Sequence, residues 1–185
     1  MTMKDFLMMK NLRKAVNVLS TVALLTSFFP LFFWNRLEGV PIPVHFGAGG
    51  IPDRWGNMTS FLILCVIAVL AYAFFMVCQR SPRIMNLLEM SPSRNRPVRP
   101  GAIEAAKDLV SYLCLVCMLF FSCSGNIGLA VALGKARSMP AWIYWALAAA
   151  LVLSITVSAV RIVLANSRKS GASEMCQENG QFSKN

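Results

Sequence analysis

PIPVHFGAGGIPDRWG, residues 41–56, organises this chain, because it separates the first two of its long apolar segments. It contains three prolines, four glycines and His45, which is the single histidine of the sequence. Proline favours extended backbone, and glycine permits the positive φ angles of a tight reversal. We therefore predict an ordered loop over residues 35–59, with a tight turn among the glycines.

The composition indicates a membrane protein. Hydrophobic residues make up 56% of the chain and charged residues 14%, with a mean hydropathy of +0.57. Soluble domains are about 45–50% apolar and about 25% charged. Four apolar runs are each long enough to cross the ~30 Å hydrocarbon layer as a helix. We predict an all-α membrane protein with four transmembrane helices, over residues 15–34, 60–78, 109–133 and 141–164.

The basic residues predict the orientation of these helices. Of the 18 Lys and Arg residues, four lie in the first and third connections: Arg36, Arg54, Lys135 and Arg137. Because positive charge is retained on the cytoplasmic side, both termini are predicted to be cytoplasmic, in the inner (cytoplasmic) membrane. The tryptophans flank the two outer connections, as in an interfacial aromatic belt: Trp34, Trp55, Trp142 and Trp145.

This topology divides the chain into five predicted parts. They are a cytoplasmic N-terminus (1–14), the first helix pair with its outer loop (15–80), a basic cytoplasmic loop (81–108), a hairpin of helices three and four (109–164) and a disordered cytoplasmic tail (165–185). Topology also accounts for the net charge of +10. We predict no nucleic-acid binding, because no recognition motif accompanies the charge.

Three arginines of the basic loop, Arg94, Arg96 and Arg99, are open to several interpretations. They can serve topology alone, hold anionic lipid headgroups, or bind a cytoplasmic partner. The sequence does not separate these alternatives.

Small and polar residues recur in the last two apolar runs. Ser124 and Gly128 share one helix face, and Ala150 and Ser154 share another. Because small side chains let helices approach closely in lipid, we predict that helices three and four pack antiparallel through them. Asn126 has two interpretations: an interhelical hydrogen bond, or part of a polar path in a small oligomeric transporter or channel.

His45 and Asp53 are the pair in the outer loop that could carry chemistry. The loop has no Ser or Cys nucleophile before Ser60, and the predicted spans contain no Asp, Glu or His. We therefore predict no enzyme activity, no metal site and no cofactor. Two interpretations remain. The pair forms a hydrogen bond that closes the loop, or it belongs to a recognition surface for an extracytoplasmic peptide or a membrane partner.

The loop also resembles the hallmark of a known family. His45-Phe46, Gly50, Asp53 and Trp55-Gly56 are similar in register to the motif of the bacterial membrane family called domain of unknown function 1648 (DUF1648). That motif lies between the first and second transmembrane helices, so the resemblance covers about residues 15–80. The domain also occurs in larger proteins similar to the sporulation-delaying toxin immunity protein (SdpI). The resemblance therefore implies an immunity or sensing role.

Overall fold

The computed structural model describes residues 3–47, 49–81 and 100–167. Within them lie four α-helices: α1 (Met3–Ser27), α2 (Thr59–Arg80), α3 (Pro100–Ala132) and α4 (Ala141–Ser167). Four spans built on these helices are long and apolar enough to cross a membrane: Leu7–Arg36, Thr59–Arg80, Gly101–Ala132 and Ala141–Leu164. This confirms the prediction of a multi-pass, mainly helical membrane protein.

The connection between α1 and α2 contains a short helix and two strands. A 3₁₀-helix follows α1 over Phe29–Arg36, and two antiparallel strands follow it, β1 (Ile42–Phe46) and β2 (Pro52–Gly56). The all-α prediction is therefore incomplete in this connection. The first α-helix ends at Ser27, before the predicted end at residue 34, because Pro30 cannot donate a backbone hydrogen bond; it lies in the first turn of the 3₁₀-helix that follows.

Two helices extend beyond their apolar runs. α1 begins at Met3, although residues 1–14 were predicted to precede the first helix, and α3 begins at Pro100 instead of residue 109. Proline is tolerated in a first helical turn, where its missing N–H would have no partner. The predicted lipid or partner residues Arg94, Arg96 and Arg99 lie outside the described residues, as does the tail from 168 onwards.

α3 is the central helix of the bundle, because α1, α2 and α4 each pack against it. Ala23 of α1 is buried against Cys114 and Met118 of α3, with Phe75 of α2 packed beside them. α4 packs on α3 and makes no comparable contact with α1 or α2 in the described residues. Only 6% of the α4 span is buried inside the chain, against 22–28% for the other three spans.

Hydrogen bonds made by polar side chains connect α1 to α2 and α3. Asn17 and Gln79 of α2 form a mutual amide pair, with Asn17 Nδ2 donating over 3.0 Å. Thr26 shares a 2.8 Å hydroxyl contact with Ser122 of α3. Asn126 Nδ2 donates to the Thr26 carbonyl over 3.1 Å and to the Ser122 carbonyl over 2.8 Å. Of the two predicted roles for Asn126, the structure shows the interhelical hydrogen bond.

The small residues are not paired as we predicted. Gly128 of α3 faces the ring of Phe61 in α2 and the carbonyl of Pro43 in β1. On α4, Ala150 is exposed, and the Ser154 hydroxyl donates to the Leu151 carbonyl of its own helix. α3 and α4 are neighbours, but Gly128 and Ala150 do not provide their contact. Ser124 is partly buried.

Replacing Asn126 with leucine removes both of its hydrogen bonds. We expect the free energy of unfolding to fall by about 0.6–2 kcal/mol, the range for hydrogen bonds between helices in lipid. Equilibrium unfolding in detergent micelles, followed by circular dichroism, measures this loss. Thr156→Val is the control, because exposed Thr156 donates only to Val152 in its own helix. Equal losses for the two variants would contradict the assignment.

Candidate functional site

The stretch 41–56 forms a β-hairpin. His45 pairs with Arg54 and Phe46 with Pro52, and the register is irregular on either side of His45. The reversal is closed by two backbone bonds, Gly47 N to the Ile51 carbonyl (2.9 Å) and Gly50 N to the Gly47 carbonyl (2.8 Å). Gly50 has a φ of 74°, which a residue with a side chain rarely adopts. The tight turn predicted at the glycines is therefore present.

Apolar packing fixes the base of the hairpin to the helix bundle. Ile42 is 1% exposed and belongs to a buried cluster with Leu37, Met58, Phe61 and Leu129. Leu37 precedes the hairpin, Met58 and Phe61 lie at the start of α2, and Leu129 lies near the end of α3. The hairpin therefore rests on the ends of two helices, a position that we call the hairpin end of the bundle.

A backbone hydrogen bond fixes the tip of the hairpin to the connection between α3 and α4. The N–H of Met139 donates to the carbonyl of Gly50 over 2.7 Å, and Met139 is 1% exposed. A Cβ at position 50 would collide with the carbonyl oxygen of Met139. The glycine thus has two functions here: it adopts the positive φ angle, and it allows two backbones to touch.

His45 and Asp53 project from this fixed hairpin. Nδ1 of His45 lies 2.6 Å from Oδ1 of Asp53, and the side chains are 59% and 51% exposed. The carboxylate orients the imidazole and favours the tautomer with a proton on Nδ1. The structure thus forms the predicted hydrogen bond while leaving both groups accessible. The described residues contain no cluster of three or more His, Cys, Asp or Glu that could hold a metal ion.

The other motif residues divide into exposed and supporting positions. Trp55, two residues after Asp53 in β2, is 52% exposed, and Phe46 is partly buried. Gly56 supports the fold, because a Cβ there would lie 2.6 Å from the Ser60 hydroxyl and 2.7 Å from Val44. The remaining tryptophans at the hairpin end are also exposed: Trp34 (44%), Trp142 (69%) and Trp145 (76%).

An open groove lies beside the base of the hairpin. It has a volume of about 410 Å³ and runs between the 3₁₀-helix and the start of α2. Its lining includes Trp34, Glu38, Pro41, Asn57 and Thr59. Together with the exposed pair, it gives the hairpin end a shaped surface of aromatic and polar groups.

The opposite end of the bundle holds a cluster of charged residues that the sequence analysis did not identify. Asp108 of α3 is 3% exposed and accepts from Arg13 of α1 over 3.2 Å and from Arg161 of α4 over 3.0 Å. Glu104, one turn earlier, pairs with Arg13 at 2.8 Å and with Lys107 at 2.9 Å. We call these five residues the charged cluster. They join three of the four helices.

The cluster was missed because its acidic residues were assigned to a loop. Hydropathy predicts a basic loop over residues 81–108, so from the sequence Glu104 and Asp108 bear only on the net charge of the chain. Their spacing of four was nevertheless a usable signal, since residues four apart share a helix face. The α3 span therefore contains acidic residues, whereas the shorter predicted span did not.

Comparison with known proteins finds a partial similarity. Over 83 residues the chain is 34% identical to an uncharacterized protein of Archaeoglobus fulgidus, covering 40% of this chain and 45% of that protein. The match thus spans less than half of the relative's length. No family model matches the chain. No solved structure matches it. A relationship to the DUF1648 family, suggested by the 41–56 stretch, therefore stays a prediction.

Gly50→Ala tests how the hairpin tip is fixed. Gly39 is its matched control, because its φ of 75° is nearly the same but nothing lies within 4 Å of its missing Cβ. We expect Gly39→Ala to cost about 1–2 kcal/mol for the left-handed backbone. Gly50→Ala should cost about 1–3 kcal/mol more, because the collision adds an overpacking term. Unfolding of both variants in micelles measures the difference, and equal costs would contradict the contact with Met139.

Asp108→Ala tests the charged cluster. It leaves Arg13 and Arg161 without their shared acceptor, so we expect a loss of about 3 kcal/mol in unfolding free energy. Lys107→Ala is the control, because its pair with Glu104 is partly exposed and worth at most about 1 kcal/mol. Thermal unfolding in micelles compares the two variants. A smaller loss for Asp108→Ala than for Lys107→Ala would refute the structural role of Asp108.

Proposed function

We propose that this chain is a non-enzymatic protein of the cytoplasmic membrane whose β-hairpin recognises an extracytoplasmic peptide or a membrane partner. In this proposal the hairpin end faces outwards and both termini are cytoplasmic. The role is that of an immunity or sensing protein.

One observation carries the proposal: the hairpin is held firmly while its polar groups stay accessible. Its base is buried in an apolar cluster, and its tip is tied to Met139 by a backbone bond. His45 and Asp53 nevertheless remain about half exposed. A recognition site benefits from such rigidity, because side chains that are already ordered lose less entropy when a partner binds.

The chemistry of the surface also favours recognition. The oriented imidazole offers its second ring nitrogen to a ligand, and Asp53 retains a second carboxylate oxygen. Trp55 adds an exposed aromatic ring within the same strand pair. Aromatic and charged groups on a fixed loop are the usual constituents of a binding surface for peptides.

The alternative prediction, a small oligomeric transporter or channel, receives less support. Conduction paths are marked by polar groups that face a cavity. Asn126, the residue that suggested such a path, donates to carbonyls of Thr26 and Ser122 at the contact between α1 and α3. Its amide therefore has partners within the bundle.

The test is survival of cells that express the chain and are challenged with a panel of secreted membrane-active peptides. We expect His45→Ala and Asp53→Ala to lower survival at least tenfold at unchanged membrane abundance. Trp145→Ala, exposed at the same end but outside the hairpin, should behave as the wild type. Absence of protection by the wild-type chain would refute the immunity role.

A swapped variant, His45→Asp with Asp53→His, separates recognition from loop closure. It preserves an imidazole–carboxylate bond across the hairpin but exchanges the positions of the two groups. If the pair is recognised, the swap should lose protection while the protein remains in the membrane. Full protection by the swapped variant would show that the pair only stabilises the loop.

A further inference from the structure

We infer that α4 is a relay that couples the tip of the hairpin to the charged cluster, so that a shift of the tip together with Met139 moves α4 and weakens the bond between Arg161 and Asp108. This inference rests on the proposed function, since it supplies the route by which an event at the hairpin would reach the opposite end of the bundle.

The first argument is that α4 is tied directly to the hairpin. Met139, which donates to Gly50, is followed by Pro140 and then by the first residue of α4, Ala141. Met139 is almost fully buried, and a Cβ at Gly50 would strike its carbonyl oxygen. The hairpin tip therefore cannot move relative to this connection without breaking or dragging the short segment that starts α4.

The second argument is that the other end of α4 is tied by charge. The Arg161 guanidinium donates to Asp108 over 3.0 Å, and Asp108 is nearly inaccessible. From Ala141 to Arg161 the helix rises by about 30 Å, at 1.5 Å per residue. One continuous helix thus joins the hairpin connection to the charged cluster.

The third argument is that α4 packs on a single neighbouring helix. It packs only on α3 to any extent among the described helices, and 6% of its span is buried. The contact near Arg161 is also imperfect, because the hydroxyl of Ser158, one turn away, is fully buried without a hydrogen-bond partner among the described residues. An unsatisfied hydroxyl makes this contact easier to open. A helix that is tied at its two ends and packs on one neighbour between them can move along that neighbour as a rigid unit.

Coupling between sites is reciprocal, so the relay can be tested from its charged end without a ligand. Arg161→Gln removes the charge that ties α4 to Asp108. Arg13→Gln is the matched control, since it removes the other arginine from the same carboxylate and leaves the tie to α4. Hydrogen–deuterium exchange of the full chain in lipid nanodiscs reports the Met139 amide through a peptide that covers residues 135–141.

We expect exchange of this peptide to become at least fivefold faster in Arg161→Gln and to change less than twofold in Arg13→Gln. An unchanged rate in Arg161→Gln would overturn the relay. Equal acceleration in both variants would overturn it as well, because it would show general loosening of the bundle. If hydrogen exchange accelerates in all helices of Arg161→Gln, the milder variants Arg161→Lys and Arg13→Lys replace the two glutamine variants. Exchange of the 135–141 peptide is then compared between them by the same criteria. The survival assay above is independent, so the relay and the recognition role can fail separately.

Discussion

Lipid offers no hydrogen-bond partners to the backbone, and this constraint governs how the chain is built. The four long helices satisfy their backbone groups internally and can therefore lie in the hydrocarbon layer. A two-stranded hairpin cannot, because each strand pairs on one edge only. The hairpin is accordingly placed at the end of the bundle, where Ile42 packs against Phe61 and Leu129 while His45 and Asp53 remain accessible.

The two ends of the bundle are closed by different chemistry. At the hairpin end, the closing contacts are an apolar cluster and a backbone bond from Met139 to Gly50. The backbone bond requires a glycine at position 50, because the two backbones touch there. At the other end, the buried Asp108 accepts from arginines of two helices. α3 contributes to both ends. It is also the helix against which α1, α2 and α4 each pack.

The sequence predicted the number of helices because hydropathy marks the part of a helix that meets lipid. It predicted the starts of α2 and α4 to within one residue but not those of α1 and α3, because a helix continues through polar residues while its backbone bonds are satisfied, as α3 does from Pro100. Asp108 was therefore placed in a loop. His45 and Asp53 were paired correctly, since they flank a glycine-rich turn. The partner predicted for Gly128, α4, was wrong, because periodicity groups residues on a face without identifying the helix opposite.

The bond between His45 and Asp53 adds little to the stability of the hairpin. Even a fully charged pair at exposed positions contributes about 0–1 kcal/mol, and these side chains are more than half exposed. The buried Ile42 and the bond from Met139 to Gly50 already fix the base and the tip. Closing the loop therefore does not require this pair of groups. What the pair adds is an oriented imidazole and a carboxylate that stay accessible on a hairpin fixed at its base and its tip.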